Sequence, residues 1–556
     1  MASGILGQLE QVKANYGEGC AEAKLALLGR IAESRLPSAR AVLRLHEVLC
    51  FLRAYPDNAR LLARVEGLLE RFRRRADVRR HRAALADTGI AGTATHYRFF
   101  WMTARWLARR WPARLRLDRS DSEAADSIRT ALPLLVTPAE AEWLKESNAP
   151  GYRALDRLRG RSETDAVFLV RRVEAMPGDS RTREAFYDSI DASCVLAPGA
   201  ETPSRTREKT PLAQVVFQGA ALRRGRPELR EQIALAPRAV RDVPAREGAG
   251  LIEFARGILA TRARDLDAFG YGDAQDVRVV EDGRGLAFLV NGMVPERRAL
   301  VMASYGYVTL QNGVPLGYGQ VDLLGRIAAI SFNTFATFRG GEAAWTFARL
   351  LAMSRFLFGA ESFSLDPYQL GKKNDEAIAS GAWWFYQKLG FRPQSAEAQR
   401  IMRGELARMK ADPGHRSDRR TLRRLARASV FFDLDVPHAS DLGFGAALGA
   451  RLGADLAARW GAAREQALRE CAREAMSITG LRSVAGFSAG ERLAWTRWGA
   501  LLVHLPGISR WNVGEKRALV QVVRAKGGRR ESDFVALFNA HPKLAGALRS
   551  YVAGGE

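Results

Sequence analysis

Two β-rich stretches joined by Asn312-Gly313 constrain the fold of this chain more than any other feature. The stretches are RALVMASYGYVTLQ (298–311) and PLGYGQVDLLG (315–325). Asn and Gly both accept positive backbone φ angles, which the tightest hairpin turns require. A third stretch of the same kind, RIAAISFNTFATF (326–338), follows directly. The centre of the chain is therefore predicted to form adjacent strands of one sheet.

The residues after these strands predict an alternation of helix and strand. Gly340-Gly341 ends the third strand, and EAAWTFARLLAMSRFLFG (342–359) has apolar residues at helical spacing. ESFSLD (361–366) is predicted to be a short strand. NDEAIASGAWWFYQKLG (374–390) is predicted to be one helix that ends at its last glycine, before a final strand at FRP (391–393). This order indicates an α/β domain with a mixed central sheet over 250–400.

The flanks of this domain have a different pattern. Residues 1–160 and 401–556 are predicted to be mainly helical. In the first flank, Thr137 and Glu140 are spaced for a capping box, with a proline between them at the first helical position. Residues 161–249 are mixed, with strands predicted at DAVFLVRRVEA (165–175) and LAQVVFQGAAL (212–222). The fold class predicted is α/β, with a central mixed sheet domain between mostly helical amino- and carboxyl-terminal regions.

The composition adds a strongly positive charge. The 556 residues exceed what one core usually organises, so about three folding units are expected. The net charge is +24, and only 11 of the 85 basic residues are lysine. A field of this sign attracts nucleic acid, acidic lipid or acidic metabolites, and the association is salt dependent.

Several kinds of site and segment are not predicted. The first 30 residues lack a basic start followed by an apolar block, and no stretch resembles a membrane span, so a cytoplasmic location is expected. The seven histidines never fall at ligand spacing, and no metal site is predicted. The four cysteines are far apart and predict neither disulfides nor a zinc knuckle: Cys20, Cys50, Cys194 and Cys471.

The order of elements over about 286–393 resembles the core of the GNAT superfamily of acyl-CoA-dependent N-acyltransferases. The most specific piece is WFYQKLGF (384–391), because members commonly end the last core helix with Tyr, two polar residues and Leu-Gly-Phe. The glycine turn departs from the family pattern, since Glu342 occupies the position of the first family glycine. Asn374 resembles the asparagine that usually precedes this helix, although it lies about one helical turn further from Tyr386 than usual.

The resemblance implies direct transfer of an acyl group from acyl-CoA or acetyl-CoA, as co-substrate, to an amine-bearing acceptor. Tyr386 would protonate the departing thiolate, and Asp366, Asp322 or a water chain would take the proton of the amine. The pyrophosphate would be held at the glycine turn, where free N–H groups meet the positive end of a helix dipole. The co-substrate-binding residues implied are Arg339, Gly340, Gly341, Glu342, Ala343 and Asn374.

Other interpretations of the same residues stay open. Tyr386 is also typical of a core tyrosine, and Asn374 of a helix cap. Two arginine-rich runs, RFRRRADVRRHR (71–82) and RSDRRTLRRLAR (416–427), are usual for a solvated helix face. They also suit a non-catalytic scaffold of GNAT-like fold that binds nucleic acid or another polyanion. A third alternative is an aminoacyl donor carried on tRNA, which would match the positive field.

Overall fold

The computed structural model describes residues 2–211, 214–339, 341–435 and 443–554. The helices are α1 (Ala2–Val12), α2 (Cys20–Glu33), α3 (Ala39–Ala54), α4 (Ala59–Arg71), α5 (Ala76–Arg80), α6 (Trp101–Arg110), α7 (Ser122–Ala131), α8 (Pro138–Glu146), α9 (Gly151–Leu158), α10 (Asp165–Glu174), α11 (Ser180–Ile190), α12 (Leu229–Ala234), α13 (Ala245–Ala260), α14 (Asp267–Gly270), α15 (Ala343–Phe358), α16 (Pro367–Leu370), α17 (Asp375–Ser380), α18 (Ala382–Lys388), α19 (Ala396–Ala411), α20 (Arg419–Leu425), α21 (Phe444–Trp460), α22 (Arg464–Thr479), α23 (Ala489–His504), α24 (Val513–Lys526), α25 (Glu531–Ala540) and α26 (Leu544–Val552).

The strands are β1 (Thr95–Tyr97), β2 (Leu115–Leu117), β3 (Cys194–Leu196), β4 (Ala239–Asp242), β5 (Gly272–Gly283), β6 (Leu286–Met293), β7 (Ala303–Gln311), β8 (Val314–Leu324), β9 (Ile327–Thr334), β10 (Ser362–Leu365), β11 (Arg392–Pro393) and β12 (Val430–Asp433). The chain divides into two compact units. The first comprises 1–222, 250–271 and 310–315, and the second comprises 223–249, 272–309 and 316–556. The four regions expected from the sequence stay a prediction.

The first unit is mostly helical, with a small antiparallel sheet in the order β1-β3-β2. The predicted strand at 165–175 was wrong, because this segment forms α10. Thr164 caps the helix by accepting a hydrogen bond from the Val167 amide, and Val170 and Val173 lie on the buried side. A local cap and 3–4 residue spacing therefore outweighed the β propensity of the valines. The capping box of Thr137 and Glu140 is confirmed.

A carboxylate from a distant loop caps helix α6 in the first unit. Asp265 Oδ2 accepts a hydrogen bond from the Phe100 amide at 2.9 Å, and Oδ1 accepts one from the Thr103 hydroxyl. Burial raises the pKa of Asp265 to about 7 despite these two hydrogen bonds, and the charges of Asp267 and Asp188 act in the same direction. The folded protein therefore holds a proton there that the unfolded chain releases above pH ~4.

The second unit contains a nine-stranded sheet in the order β11-β12-β10-β9-β8-β7-β6-β5-β4. Strands β9 and β10 run parallel, whereas β4–β5, β5–β6, β8–β9, β10–β12 and β11–β12 are antiparallel pairs. Helix α15 follows β9, and its middle, from Thr346 to Ser354, is buried in the core of this unit. Helices α19 to α26 make up most of the rest of the unit. The prediction of an α/β protein with a large mixed sheet flanked by helices is confirmed.

The predicted hairpin is present, with Asn312 at φ 49° and Gly313 at φ 77° between β7 and β8. Two other local predictions were wrong. The segment 374–390 forms two short helices rather than one, because Gly381 at φ 68° ends α17 before α18 begins. Strand β12 was missed within a region predicted to be helical. Of the stretch 212–222, the first two residues lie outside the described residues, and 214–222 contains no strand.

In the described residues, none of the helices combines the length and the apolar composition that crossing a bilayer requires.

We predict that the Asp265→Asn variant is more stable than the parent protein at pH 8, by a few degrees in melting temperature. In the parent, the free energy of unfolding contributed by Asp265 falls as the pH rises from about 4 to about 7, because the folded state binds the extra proton. Thermal melts of both proteins between pH 5 and pH 8 measure the difference. The exposed Asp126→Asn on α7 is the matched control, and a parent and variant whose melting temperatures differ equally at both pH values would contradict the prediction.

Candidate functional site

The sheet of the second unit opens between its two parallel strands. β9 pairs with β10 only from Ile327–Ser362 to Ala329–Ser364, whereas it pairs with β8 along its whole length to Thr334. Among the described residues, no strand pairs with residues 330–334 on the β10 side. The gap lies at the carboxyl ends of both strands, the position at which open α/β sheets bind ligands.

The side chain of Gln369, on α16, occupies part of this gap. Its Oε1 accepts a hydrogen bond from the Phe332 amide of β9 at 3.2 Å. This amide points to the side where a strand partner is missing, so the side-chain amide replaces one backbone acceptor. The turn after β10 fixes the backbone of Gln369, because the backbone N–H of Gln369 donates to Asp366 Oδ1 at 3.0 Å.

Tyr386 of α18 is packed among aromatic rings and is only 4% exposed. Its ring lies 5.3 Å from Phe347 and 6.2 Å from Phe391, in edge-on geometry. Within the described residues, its hydroxyl has no hydrogen-bond partner. Other buried tyrosines of this unit differ, because Tyr305 donates to Asp276 at 2.8 Å and Tyr307 to the Ser331 carbonyl at 2.6 Å.

Burial raises the pKa of Tyr386, and the negative charge of Asp366 raises it further. The phenol therefore stays protonated throughout the neutral range and can only donate a hydrogen bond or a proton. The same burial would also raise the pKa of a thiol bound nearby, so the two groups would shift in the same direction. Asp366 is half-buried at the end of β10, and it caps α16 through the Gln369 amide.

Asp322 lies on β8, and its side chain is on the side of the sheet opposite to Tyr386. Its Oδ1 accepts hydrogen bonds from Ser304 at 2.6 Å and from Gln320 at 2.7 Å. Burial raises the pKa of Asp322, the two hydrogen bonds lower it, and the charge of Asp366 raises it again.

The strand register separates Asp322 from the phenol. Phe332, which packs on Phe347 at 5.1 Å between ring centroids, is the β9 partner of Gly319. Asp322 is three residues from Gly319 and so faces the opposite side of β8. Tyr386 packs on the same Phe347. Asp366 is therefore the carboxylate whose charge reaches both groups.

The predicted glycine turn connects β9 to α15, at the same end of the sheet as the gap. Gly340 lies outside the described residues. The Gly341 amide donates to the Phe338 carbonyl at 3.0 Å, and Ala343 begins the helix. Arg339 is exposed and forms an ion pair with Glu376 of α17.

Glu342 places a negative charge at the start of α15, and Arg223 neutralises it. Glu342 Oε1 accepts hydrogen bonds from the Arg223 amide and from its Nε, both at 3.0 Å. The Arg223 guanidinium also lies 4.4 Å from the Trp345 ring. Sequence analysis missed Arg223 and Gln369. No motif marks either, and Arg223 lies 119 residues before its partner in a segment without helix or strand.

Asn374 caps helix α17. Its Oδ1 accepts a hydrogen bond from the Ala377 amide at 3.1 Å, and its Nδ2 donates to the Tyr368 carbonyl at 3.1 Å. Both polar ends of the side chain are therefore used in fixing the loop after Asp366. The structure thus brings Tyr386, Asp366 and Gln369 to the gap, Arg339 to Ala343 to the helix start, and Asn374 to the loop between them.

The described residues contain no group of three or more His, Cys, Asp or Glu side chains placed to hold a metal ion. Comparisons with family models, with curated proteins and with solved structures found no match for this chain.

Gly319 on β8 leaves room for the side chain of Tyr307, which extends from β7 past β8 to β9. A Cβ on Gly319 would lie 1.9 Å from the Ser331 carbonyl oxygen and 2.5 Å from the Tyr307 hydroxyl. The bare backbone of β8 is what allows Tyr307 to reach Ser331 on β9.

We predict that Gly319→Ala lowers the free energy of unfolding by about 3 kcal/mol, because the added methyl overpacks the sheet and breaks the Tyr307–Ser331 hydrogen bond. Urea unfolding monitored by circular dichroism measures the change. Gly404→Ala on α19 is the control: its Cβ meets nothing within 4 Å, so the helix should gain about 0.5–1 kcal/mol. Equal stability of the two variants would exclude the close approach at Gly319.

Proposed function

We propose that this protein is an acyl-CoA-dependent N-acyltransferase whose second unit contains a GNAT-like domain. The observation that carries the proposal is the divergence of β9 and β10 beside a buried phenol that lacks a partner among the described residues. An extended thioester arm could take the place of a strand along residues 330–334, where no described strand pairs with β9 on the β10 side. A carbonyl oxygen of that arm would displace Gln369 Oε1 as the acceptor of the Phe332 N–H.

The chain's own side chains suit the two proton transfers of this reaction. The nitrogen of the acceptor attacks the thioester carbonyl carbon, the C–N bond forms and the C–S bond breaks. Asp366 takes the proton from the amine, directly or through water, since it is half-buried at the gap. Tyr386 donates its proton to the departing thiolate and regains one from solvent. Asp322 is the weaker candidate for the base, because it faces the other side of β8.

The anionic part of the co-substrate would be held at the start of α15. Its helix dipole and the Arg223 and Arg339 guanidinium groups favour phosphate, whereas the Glu342 carboxylate opposes it. Asn374 contributes by fixing the adjacent loop rather than by contacting the ligand.

We predict that CoA and acetyl-CoA bind the intact protein, and that Tyr386→Phe retains this binding within about twofold. Turnover with amine acceptors should fall by roughly 10²-fold or more, because one general acid typically contributes that much. Calorimetry measures binding, and free thiol release measures turnover. Gly341→Pro, which removes the amide that donates to Phe338, should weaken binding instead.

The control is Tyr368→Phe, which removes the hydroxyl of a 56% exposed tyrosine on the neighbouring turn and should leave both binding and turnover unchanged. Failure of CoA to bind the parent protein would remove the enzyme proposal. Full turnover in Tyr386→Phe would assign the proton donor to another group.

A second candidate is a non-catalytic GNAT-like scaffold that binds a polyanion, and the run at 71–82 favours it. Over the part of the chain that the structure describes, six exposed arginines of this run have no carboxylate partner: Arg71, Arg73, Arg74, Arg79, Arg80 and Arg82. The run at 416–427 is less available, since Arg419 and Arg423 pair with Asp375 and Arg424 pairs with Glu397. An aminoacyl-tRNA donor would unite the two candidates, and a cytoplasmic location suits each of them.

We predict salt-sensitive retention of single-stranded RNA that weakens when Arg73, Arg74, Arg79 and Arg80 are all changed to Gln. Each substituted arginine that had neutralised a phosphate should reduce the slope of log affinity against log salt by about 0.7. Fluorescence anisotropy between about 50 and about 200 mM salt measures the slope. The matched control changes Arg419, Arg420, Arg423 and Arg424 to Gln. If the control variant loses more affinity than the variant of the first run, α20 rather than the run at 71–82 carries the binding surface.

A further inference from the structure

The first unit contains a cavity that the proposed transfer reaction does not use. Its volume is about 200 Å³, and its lining comes from α2, α3, α4 and the turn that follows α4. Folded proteins contain few voids larger than a water molecule, and a void lined by carbon atoms tends to stay dry and to accept an apolar group. The apolar side chains that line this one are Ile31, Ala32, Leu45, Leu49, Leu68 and Phe72.

Three arginines complete the lining, and among the described residues no carboxylate lines the cavity. Arg64 and Arg71 are exposed, so they mark the side on which the cavity meets solvent. Arg75 is half-buried, and its charge is offset by the Asp77 carboxylate at 2.7 Å. In the part of the chain that the structure describes, neither Arg64 nor Arg71 has a carboxylate partner, and Arg71 Nε donates to the Gly67 carbonyl at 3.2 Å.

Helix α4 separates its charges, so that its cations lie beside the cavity and its anions do not. Arg64, Leu68 and Arg71 recur at intervals of four and three residues and share one face of the helix. Helical geometry places Glu66 and Glu70 on the other side. The negative end of the helix dipole is a sufficient reason for Arg71, which lies in the last turn, but Arg64 lies about two turns earlier. A bound anion would use both arginines.

We propose that this cavity binds a small amphipathic anion. Its apolar tail of about six carbon atoms lies in the cavity, since a cavity of ~150 Å³ already holds a benzene molecule. Its head group, a carboxylate or a phosphate, lies between Arg64 and Arg71, because guanidinium groups bind either anion through paired hydrogen bonds. All of the lining residues belong to the first unit, so the inference goes beyond the proposed transfer reaction and does not depend on it.

Ligand-detected NMR titrations of the full-length protein test the inference with hexanoate, hexyl phosphate, acetate, hexanol and decanoate. We expect hexanoate to bind roughly 10-fold or more tightly than acetate, since four more methylene groups leave water. Hexanol should bind about 10-fold more weakly than hexanoate, because it has no charge to pair with the arginines. The tighter of hexanoate and hexyl phosphate identifies the head group, and failure of both to bind would overturn the inference.

Decanoate should bind no more tightly than hexanoate, because its longer tail exceeds the volume of the cavity. Affinity that rises steadily with chain length up to decanoate would indicate adsorption to apolar surface rather than binding in a defined cavity, and would overturn the inference.

The variant Ala32→Leu tests the place of the tail. The larger side chain fills part of the cavity, so the affinity for hexanoate should fall by roughly fivefold or more, whereas the melting temperature should stay the same or rise. Ala26→Leu is the matched control, because Ala26 is an exposed residue of the same helix that does not line the cavity. Hexanoate binding that is unchanged in Ala32→Leu would contradict the proposed location.

The double variant Arg64→Gln, Arg71→Gln tests the place of the head group. Its affinity for hexanoate should fall to about that of hexanol, whereas its affinity for hexanol should stay within about twofold of the parent value. A merely unfolded variant would lose both. The control Arg40→Gln, Arg129→Gln removes the same charge from exposed arginines away from the cavity and should keep the preference for the anion. An equal loss in the two double variants would assign the effect to net charge and overturn the inference.

Discussion

The short parallel pairing of β9 with β10 is the constraint on which the second unit depends. Three residue pairs hold the strands together before they separate, while β9 stays paired to β8 to its end. Because backbone groups need partners, the open edge of β9 must be satisfied by side chains, by water or by a bound ligand. The start of α15, the turn at Asp366 and the Tyr386 phenol are all brought to this opening by the connections that leave the two strands.

Electrostatics within the site centre on one carboxylate. The charge of Asp366 raises the pKa of Tyr386 on one side of β8 and that of Asp322 on the other, so one carboxylate acts on groups on both faces of the sheet. At the start of α15, where we propose that phosphate binds, the charge of Glu342 is offset by Arg223, which comes from a distant part of the chain. A basic protein therefore presents acidic groups where the chemistry would occur and paired charges where phosphate would bind.

Local signals in the sequence were enough for much of the fold. The Asn312-Gly313 hairpin, helix α15 and the short strand β10 follow from turn chemistry and periodicity. Strand β12 could not be predicted, because its only support is pairing with β10 and β11, which are distant in sequence. Tyr386 and Asp366 were proposed from a motif and a strand end, and their roles stay predictions. Gln369 and Arg223 were not, because their roles arise from tertiary contacts that carry no spacing rule.

The side chain of Gln369 has a consequence for the protein when nothing is bound. An uncovered strand edge in the middle of a sheet is a template on which a second polypeptide can add a strand, and such edges promote aggregation. By accepting the Phe332 hydrogen bond, Gln369 and the α16 turn blunt that edge from within the same chain. A side-chain amide can swing aside for an extended small molecule while still discouraging association with a neighbouring copy, so solubility and an accessible groove are compatible here.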